Sequence, residues 1–573
     1  MLPADLIVTD ARINTLDDRQ PRASAMAVYD GRIVYVGDDA SALRFAGQRT
    51  RHLRLGGKTV VPGFCDSHIH LFAFGQQLLT QADLVGTSTL DEISARLSDL
   101  AARSSGWILG WGFDQDKLAE RRFPTRADLD RVSKDRPILI SRICGHAAIV
   151  NSAALALVSP AERAAGDEAA GLYTETDIDP FYRRVPPMDE DEMERAVLAA
   201  CDVALRTGIT SVQTLLDTPA QMIAYSRLRA AGKLPIRVTA MPPYAAVEQL
   251  HAHGIRTGFG DDVLRFGAAK LFSDGSLGAQ TALLAQPYAD KPATRGLRIY
   301  DPQDLKARAA DAQAKGFQLA IHAIGDQAVR ETIDAIEFAL AGDSNQQHRH
   351  RIEHVSLCPP DCLERIAALG IVCVLQPQFV PSDSWTPDRL GLARVPWAYP
   401  FRSLLRAGAT IALSSDCPVE KLDAFACLAA AVGRSEWSPD ETLTPQEALR
   451  AYCLGSAHAG RGESWSGSLE PGRVADFVVL SADPTAQTAA QIAQLKADQV
   501  FIAGKEITPP KVYSSRPVRG PSSVNLRPQV VYGFSTPHGI SRSLTSQISM
   551  EFQGGSPHNV PREVSPCATQ SGS

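Results

Sequence analysis

The chain lacks any run of 18 or more apolar residues, so nothing in it reads as a membrane-spanning helix. Its first residues, Met1-Leu2-Pro3-Ala4-Asp5 and then a strand-like LIV, show no basic stretch leading into a long apolar segment. No signal peptide is evident. An excess of positive charge is also missing. Lys and Arg number 58 against 64 Asp and Glu, which argues against nucleic acid or an anionic membrane as partner. No Gly-x-Gly-x-x-Gly opens a βαβ unit, and GSLGAQTALL lacks the Gly-Lys-Ser/Thr ending of a phosphate loop, so nucleotide binding is poorly supported. Cys358 and Cys362 lie four apart, but no second cysteine pair faces them, which argues against a structural zinc site. The other cysteines are scattered, several in apolar contexts such as Cys373 in IVCVL. They read as reduced core residues of a cytoplasmic protein.

What is present is ordinary globular composition, 44% hydrophobic over 573 residues, enough for a large core. Residues 4–60 alternate polar and apolar positions in short runs, and Asp30-Gly31 marks a hairpin between two of them. A matching texture returns at 467–481 and 498–507. The expectation is one small β domain built from 1–58 and 467–510. Between them, apolar strand candidates fall at 59–70, 209–216, 236–242, 264–272, 317–323, 351–356, 371–376 and 410–416. Helical patterns such as DQAVRETIDAIEFAL and DCLERIAAL separate most of them. Eight such strands point to an α/β protein with a parallel (β/α)8 barrel over 59–466, although a doubly wound open sheet gives similar periodicity. Residues 75–205 are too long for one crossover and read as an insertion covering the barrel mouth. The segment 511–573 is rich in Ser, Pro and Gly, with only Glu551 and Glu563 as acids, and reads as disordered.

His68-Ile69-His70 closes the first strand candidate, where residues two apart point to one side and both imidazoles can converge on an ion. The chain contains its own control. His251-Ala252-His253 follows AAVEQL on an expected helix, where such a pair diverges. Lys270 in AAKLFSDGS, His322 in LAIHAIGD, His354 in HRIEHVS and Asp416 in ALSSDCPV all lie at ends of later strands. In a barrel these residues gather at the C-terminal mouth, and imidazole with carboxylate suits zinc and similar divalent ions. Lys270 has two readings. Buried beside a metal it would be neutral and able to take up carbon dioxide as a bridging carbamate; otherwise its tip escapes to pair with Asp274.

The order VPGFCDSHIH, a lysine, two separated histidines and SSDCPV resembles the amidohydrolase superfamily, more closely amidohydrolase family 3, the YtcJ-like branch. GWGFDQDKL, GHAAIVNSAAL, KLFSDGSLGAQTALL, IHAIGDQAV, HRIEHVSL and SGSLEPGRVADFVVLSADP support the resemblance over roughly 4–507. It implies a TIM-like barrel with a small β-sandwich made from both chain ends. It also implies metal ligands at His68, His70, His322 and His354, a carboxylated Lys270 and a metal-bound catalytic Asp416. Two departures stand out: SSD replaces the commoner GSD, and QTLLD at 213–217 replaces a His-Asp type ending. The implied chemistry is hydrolysis of a non-peptide carbon–nitrogen bond in an amide or formamide-like small molecule. A hydroxide activated by one or two ions, zinc or alternatively manganese, would attack, with Asp416 moving the proton. His146, Trp111 and Asp114 are the substrate-side candidates, although His146 also fits a structural surface role and WGF plain insertion core. A mononuclear deaminase or cyclic-amide hydrolase on the same scaffold, and a non-enzymatic regulatory homologue, are the alternatives.

Overall fold

A computed structural model of the chain describes residues 3–507, apart from 116, 144–146, 165, 343–345 and 435–436. The segment 511–573, expected to be disordered, lies outside the described residues. Nine short strands run parallel in two sheets: β1 (Phe64–Ile69), β2 (Ile209–Leu215), β3 (Arg237–Met241), β4 (Leu264–Phe266), β5 (Ala269–Phe272), β6 (Leu319–Ala323), β7 (Arg351–His354), β8 (Val372–Leu375) and β9 (Thr410–Leu413). One sheet has the order β4-β3-β2-β1, the other β5-β6-β7-β8-β9. The expected strand at 264–272 is therefore two pieces, interrupted at Gly267-Ala268. Hydrogen bonds join the sheets on both sides of the series. Lys270 N donates to Pro242 O (2.8 Å) near β3, and Ser67 Oγ in β1 donates to Leu413 O (2.7 Å) in β9. Every residue of β1, β3, β6, β7 and β8 is buried, so none of them shows the alternation of a half-exposed strand.

Helices return the chain between strands. The helix Asp326–Leu340 buries Ala328, Val329, Ile333, Ile336 and Leu340 at helical spacing on one stripe. α1 (Leu71–Thr80) leaves the end of β1, and α2 (Glu190–Arg206) leads into β2; the two pack against each other. α2 starts on a capping box. Glu192 N donates to Asp189 Oδ1 (2.7 Å), and the Asp189 amide donates back to Glu192 Oε2 (3.0 Å).

Between α1 and α2 lies a separate five-stranded sheet, in the order 172–174, 147–150, 138–142, 108–113 and 81–83. Its two faces carry distinct apolar clusters, one around Phe113 and Leu97, the other around Tyr173 and Phe181. Two further sheets use the chain ends. A six-stranded sheet pairs 477–480 antiparallel with 59–62 and with 497–502, and a four-stranded sheet holds 32–37, 25–29, 6–9 and 51–54. The Asp30-Gly31 turn has both residues at positive φ, 49° and 73°, the geometry a two-residue hairpin needs. The expected strand 59–70 proves to be two, Thr59–Pro62 in a small sheet and β1 in a parallel one, changing sheets at Gly63.

Candidate metal centre

β1 delivers His68 from within the strand, while His70 sits one residue past its end at the start of α1. His70 nevertheless turns back. Its amide donates to Cys417 O (2.9 Å), and its Nε2 lies 3.5 Å from Asp416 Oδ1. His68 Nε2 is also 3.5 Å from that oxygen. Asp416 stands three residues beyond β9 with φ 57°, a conformation side-chain-bearing residues rarely adopt. It is held there by its amide, which donates to His68 O (2.9 Å). Asp66 anchors the same turn, accepting from Ser415 N (3.0 Å) and Tyr452 Oη (3.3 Å). Burial pushes its carboxyl up to about 6 against these donors.

His354 ends β7. Alternation along a strand would send Glu353 and His354 to opposite faces. Positive φ at His354 (79°) and Val355 (47°) breaks that alternation, and both side chains reach the same centre. His354 Nδ1 lies 2.9 Å from Gln376 Oε1 and 4.0 Å from Asp416 Oδ2. The His322 ring packs on His354 with centroids 4.5 Å apart, and its Nε2 donates to Gly275 O (2.9 Å). Lys270 Nζ lies 3.5 Å from His68 Nε2 and 4.7 Å from the centre of the Phe272 ring. Asp274, the alternative partner for the lysine, instead accepts from the backbone amides of Leu283, Ile324 and Gly325 (2.8–3.0 Å), clasping the GSLGA loop to the end of β6.

Burial dominates the electrostatics. It lowers His322 to about 3 and His68 and His354 well below the ordinary histidine range, with Lys270 and the neighbouring rings adding to the effect. It draws the Lys270 amine down to about 8 and pushes the Asp416 carboxyl up to about 8. Among the described residues, His68, His70 and Asp416 form a donor group whose ligating atoms all lie within 4.8 Å of one another. Asp416 Oδ1 is buried and has no hydrogen-bond partner among the described residues, an expensive state unless a cation completes it. Two neutral imidazoles and a bare carboxylate oxygen fit a divalent ion.

The other expectations fall as follows. Trp111 is half-buried on the insertion strand 108–113, and Asp114 just beyond it accepts from Arg142 (3.1 Å). Phe113 is insertion core, edge-on to Phe123. His146 lies outside the described residues. His251 and His253 are exposed, bonded to the carbonyls of Lys315 and Gln249. Cys358 and Cys362 are buried free thiols. Sequence reasoning missed Glu353, which accepts from His68 Nδ1, and Arg351, which grips Glu353. Their signal was a pair of opposite charges two apart within one short strand candidate.

The family model described as "Amidohydrolase family" matches residues 54–508, and the chain belongs to that family. The putative amidohydrolase YtcJ of Bacillus subtilis is 32% identical, over 86% of this chain and 97% of its own. The N-substituted formamide deformylase of Arthrobacter pascens is 28% identical, over 87% of this chain and 97% of its own. Among solved structures, an uncharacterized metal-dependent hydrolase from Pyrococcus furiosus superposes with a TM-score of 0.74 at 32% identity, covering 84% of this chain and 99% of its own. The fold is thus that of the family's metal-dependent hydrolases, and a divalent metal is the group its donor set supports.

Proposed function

We propose that this chain hydrolyses a non-peptide carbon–nitrogen bond in an amide or formamide-like small molecule, using one or two divalent ions, zinc first. His68, His70, His322, His354 and Asp416 would hold the metal, with Lys270 joining them as its carbamate. In this picture the parallel strands close a (β/α)8 barrel over 59–466, and the sheets from 1–58 and 467–510 form a β-sandwich beside it. The insertion 75–205 then covers the mouth, bringing Trp111, Asp114 and His146 to the substrate side. The observation that carries the proposal is the buried, unpartnered Asp416 Oδ1 facing two imidazole nitrogens.

When bound, a divalent ion supplies Lewis acidity, acidifying water and polarising a carbonyl. With a divalent ion held beside it, Asp416 would be ionised, able to take a proton from water and return it to the departing nitrogen. The balance is simple: the C–N bond breaks, the water oxygen joins the acyl carbon, and both water protons end on the two products. His68, His322 and His354 stay neutral through burial and so keep a lone pair to offer. The lowered Lys270 amine is partly unprotonated near neutral pH and can add to carbon dioxide with loss of a proton. A mononuclear deaminase or cyclic-amide hydrolase is the second reading, favoured by the tight group of three donors, His68, His70 and Asp416, among the described residues.

The test reloads the metal-free full chain with zinc or manganese and follows amine release from a panel of N-formyl and N-acyl amines. Wild type should turn over one class, and Asp416→Asn and His68→Ala should not. Undiminished turnover in both variants would reject the site, and one metal per active chain would favour the second reading.

A further inference from the structure

The centre of the parallel strands holds a charged pair for which the hydrolytic scheme has no direct use. Glu353 is fully buried and Arg351 is 1% exposed. Arg351 binds the carboxylate twice, Nε to Oε1 at 2.5 Å and Nη2 to Oε2 at 2.8 Å. The guanidinium is itself fixed on two further sides. Nη2 donates to Ser67 O (2.5 Å), and Nη1 donates to Gln213 Oε1. Gln213 is tied in turn, its Nε2 donating to Ser456 O (2.6 Å). Glu353 Oε2 receives one more bond, from His68 Nδ1.

A carboxylate can only accept, so the proton of a neutral His68 must reside on Nδ1 and its lone pair on Nε2. We propose that Arg351 and Glu353 are positioning residues of the metal centre: Glu353, clamped by Arg351, fixes the tautomer and rotation of His68 so that Nε2 faces Asp416, and Gln213 fixes Arg351. The proposal rests on reading His68 as a metal ligand. It gives the QTLLD departure a role, because the amide of Gln213 both accepts from Arg351 and donates to the Ser456 carbonyl. It also explains a buried ion pair that is a poor investment for stability alone, since desolvation offsets most of its attraction. A carboxylate behind a ligand histidine raises the basicity of the ring and holds its direction.

Cobalt(II) titration of the metal-free full chain, read by visible absorption and by competition with a chelator, tests this without any substrate. Glu353→Gln should weaken cobalt binding by about 10–100-fold. Because it also strands the Arg351 charge, the double variant Arg351→Met/Glu353→Gln is the deciding one. It removes both charges and should recover thermal stability of the metal-free protein without recovering cobalt affinity. Wild-type affinity and spectrum in the double variant would overturn the positioning role, leaving the pair as structure only. His68→Ala separates the two levels: it should lose cobalt outright. Unchanged cobalt stoichiometry there would overturn the ligand assignment itself and the positioning role with it. Loss of cobalt there alongside wild-type affinity in the double variant rejects only the positioning role.

Discussion

An ammonium group desolvated beside His68 is costly unless it loses its charge, and Lys270 is 4% exposed with its amine 3.5 Å from His68 Nε2. Conversion to a carbamate turns that cost into a ligand. Lys270→Ala should therefore lower metal affinity by about 10–100-fold, the range seen when a metal site loses a tuning group, with activity falling in step. A short carboxylic acid added to Lys270→Ala should restore part of both by filling the vacated space with an anion. Lys270→Arg should restore neither, because a guanidinium stays protonated and forms no carbamate. Equal metal content in wild type and Lys270→Ala, measured by elemental analysis, would reject the ligand role. The exposed pair gives the control: His251→Ala and His253→Ala should leave metal content unchanged, since each ring is bonded to a backbone carbonyl away from the donor group.

At the scale of elements, α1 begins beside His70 and packs against α2. A Cβ on Gly75 would collide with the backbone carbonyl of Ala196, so the glycine permits the close approach of the two helices. Gly75→Ala should cost about 1–3 kcal/mol by overpacking, read in thermal unfolding, and should weaken metal binding because α1 begins beside His70. A variant with wild-type melting temperature would show that the contact yields easily. The insertion carries its own pH signature. Burial pushes Asp128 upward, but Arg122 and Thr125 win and hold it down to about 2, within the capping box of helix Arg126–Asp130. A depressed carboxylate contributes stability above its unfolded pKa and loses it as pH falls through the folded value. Asp128→Ala should thus be destabilised by about 1–2 kcal/mol at pH 7, with the gap to wild type closing between about pH 4 and 2. A gap that stays constant on acidification would remove the ionic contribution. These elements also mark how far the sequence was legible. The strand–helix alternation and the HxH, Lys, His, His, Asp order could be read from periodicity and residue type. The sheet change at Gly63, where a Cβ would strike Thr210, could not, because both strands are buried along their whole length and no change of pattern marks the join. Glu353 stayed hidden for a related reason: the left-handed backbone at His354 places two adjacent residues on one centre, which strand alternation forbids.

On the scale of the whole molecule, the small sheets tie residues 6–62 and 477–507 to the parallel strands. Strand 477–480 pairs on one side with 59–62, which runs directly into β1 and His68, and on the other with 497–502. Asp476, just before that strand, accepts from buried Arg237 at the start of β3 through Nε (2.6 Å) and Nη2 (3.0 Å). Removing residues 467–507 would therefore do two kinds of damage. It would bare the edge of strand 59–62 for pairing with other chains, and it would leave a buried guanidinium with Asp262 but without its two-pronged partner, a loss of at most about 3–5 kcal/mol. A chain ending at 466 should be insoluble, and Asp476→Ala, which removes the acceptor of both Arg237 and the Ala503 amide, should be soluble but substantially less stable. A chain ending at 510 keeps every strand of both small sheets and should remain soluble, bind metal and turn over substrate as the full chain does. Its composition beyond that point offers too little periodic apolar content for a core. Comparing the melting temperature and metal content of the 510 truncation with the full chain decides the matter. A large drop in either would mean that residues after 510 pack on the body, and the boundary drawn from composition would have to move toward the C-terminus.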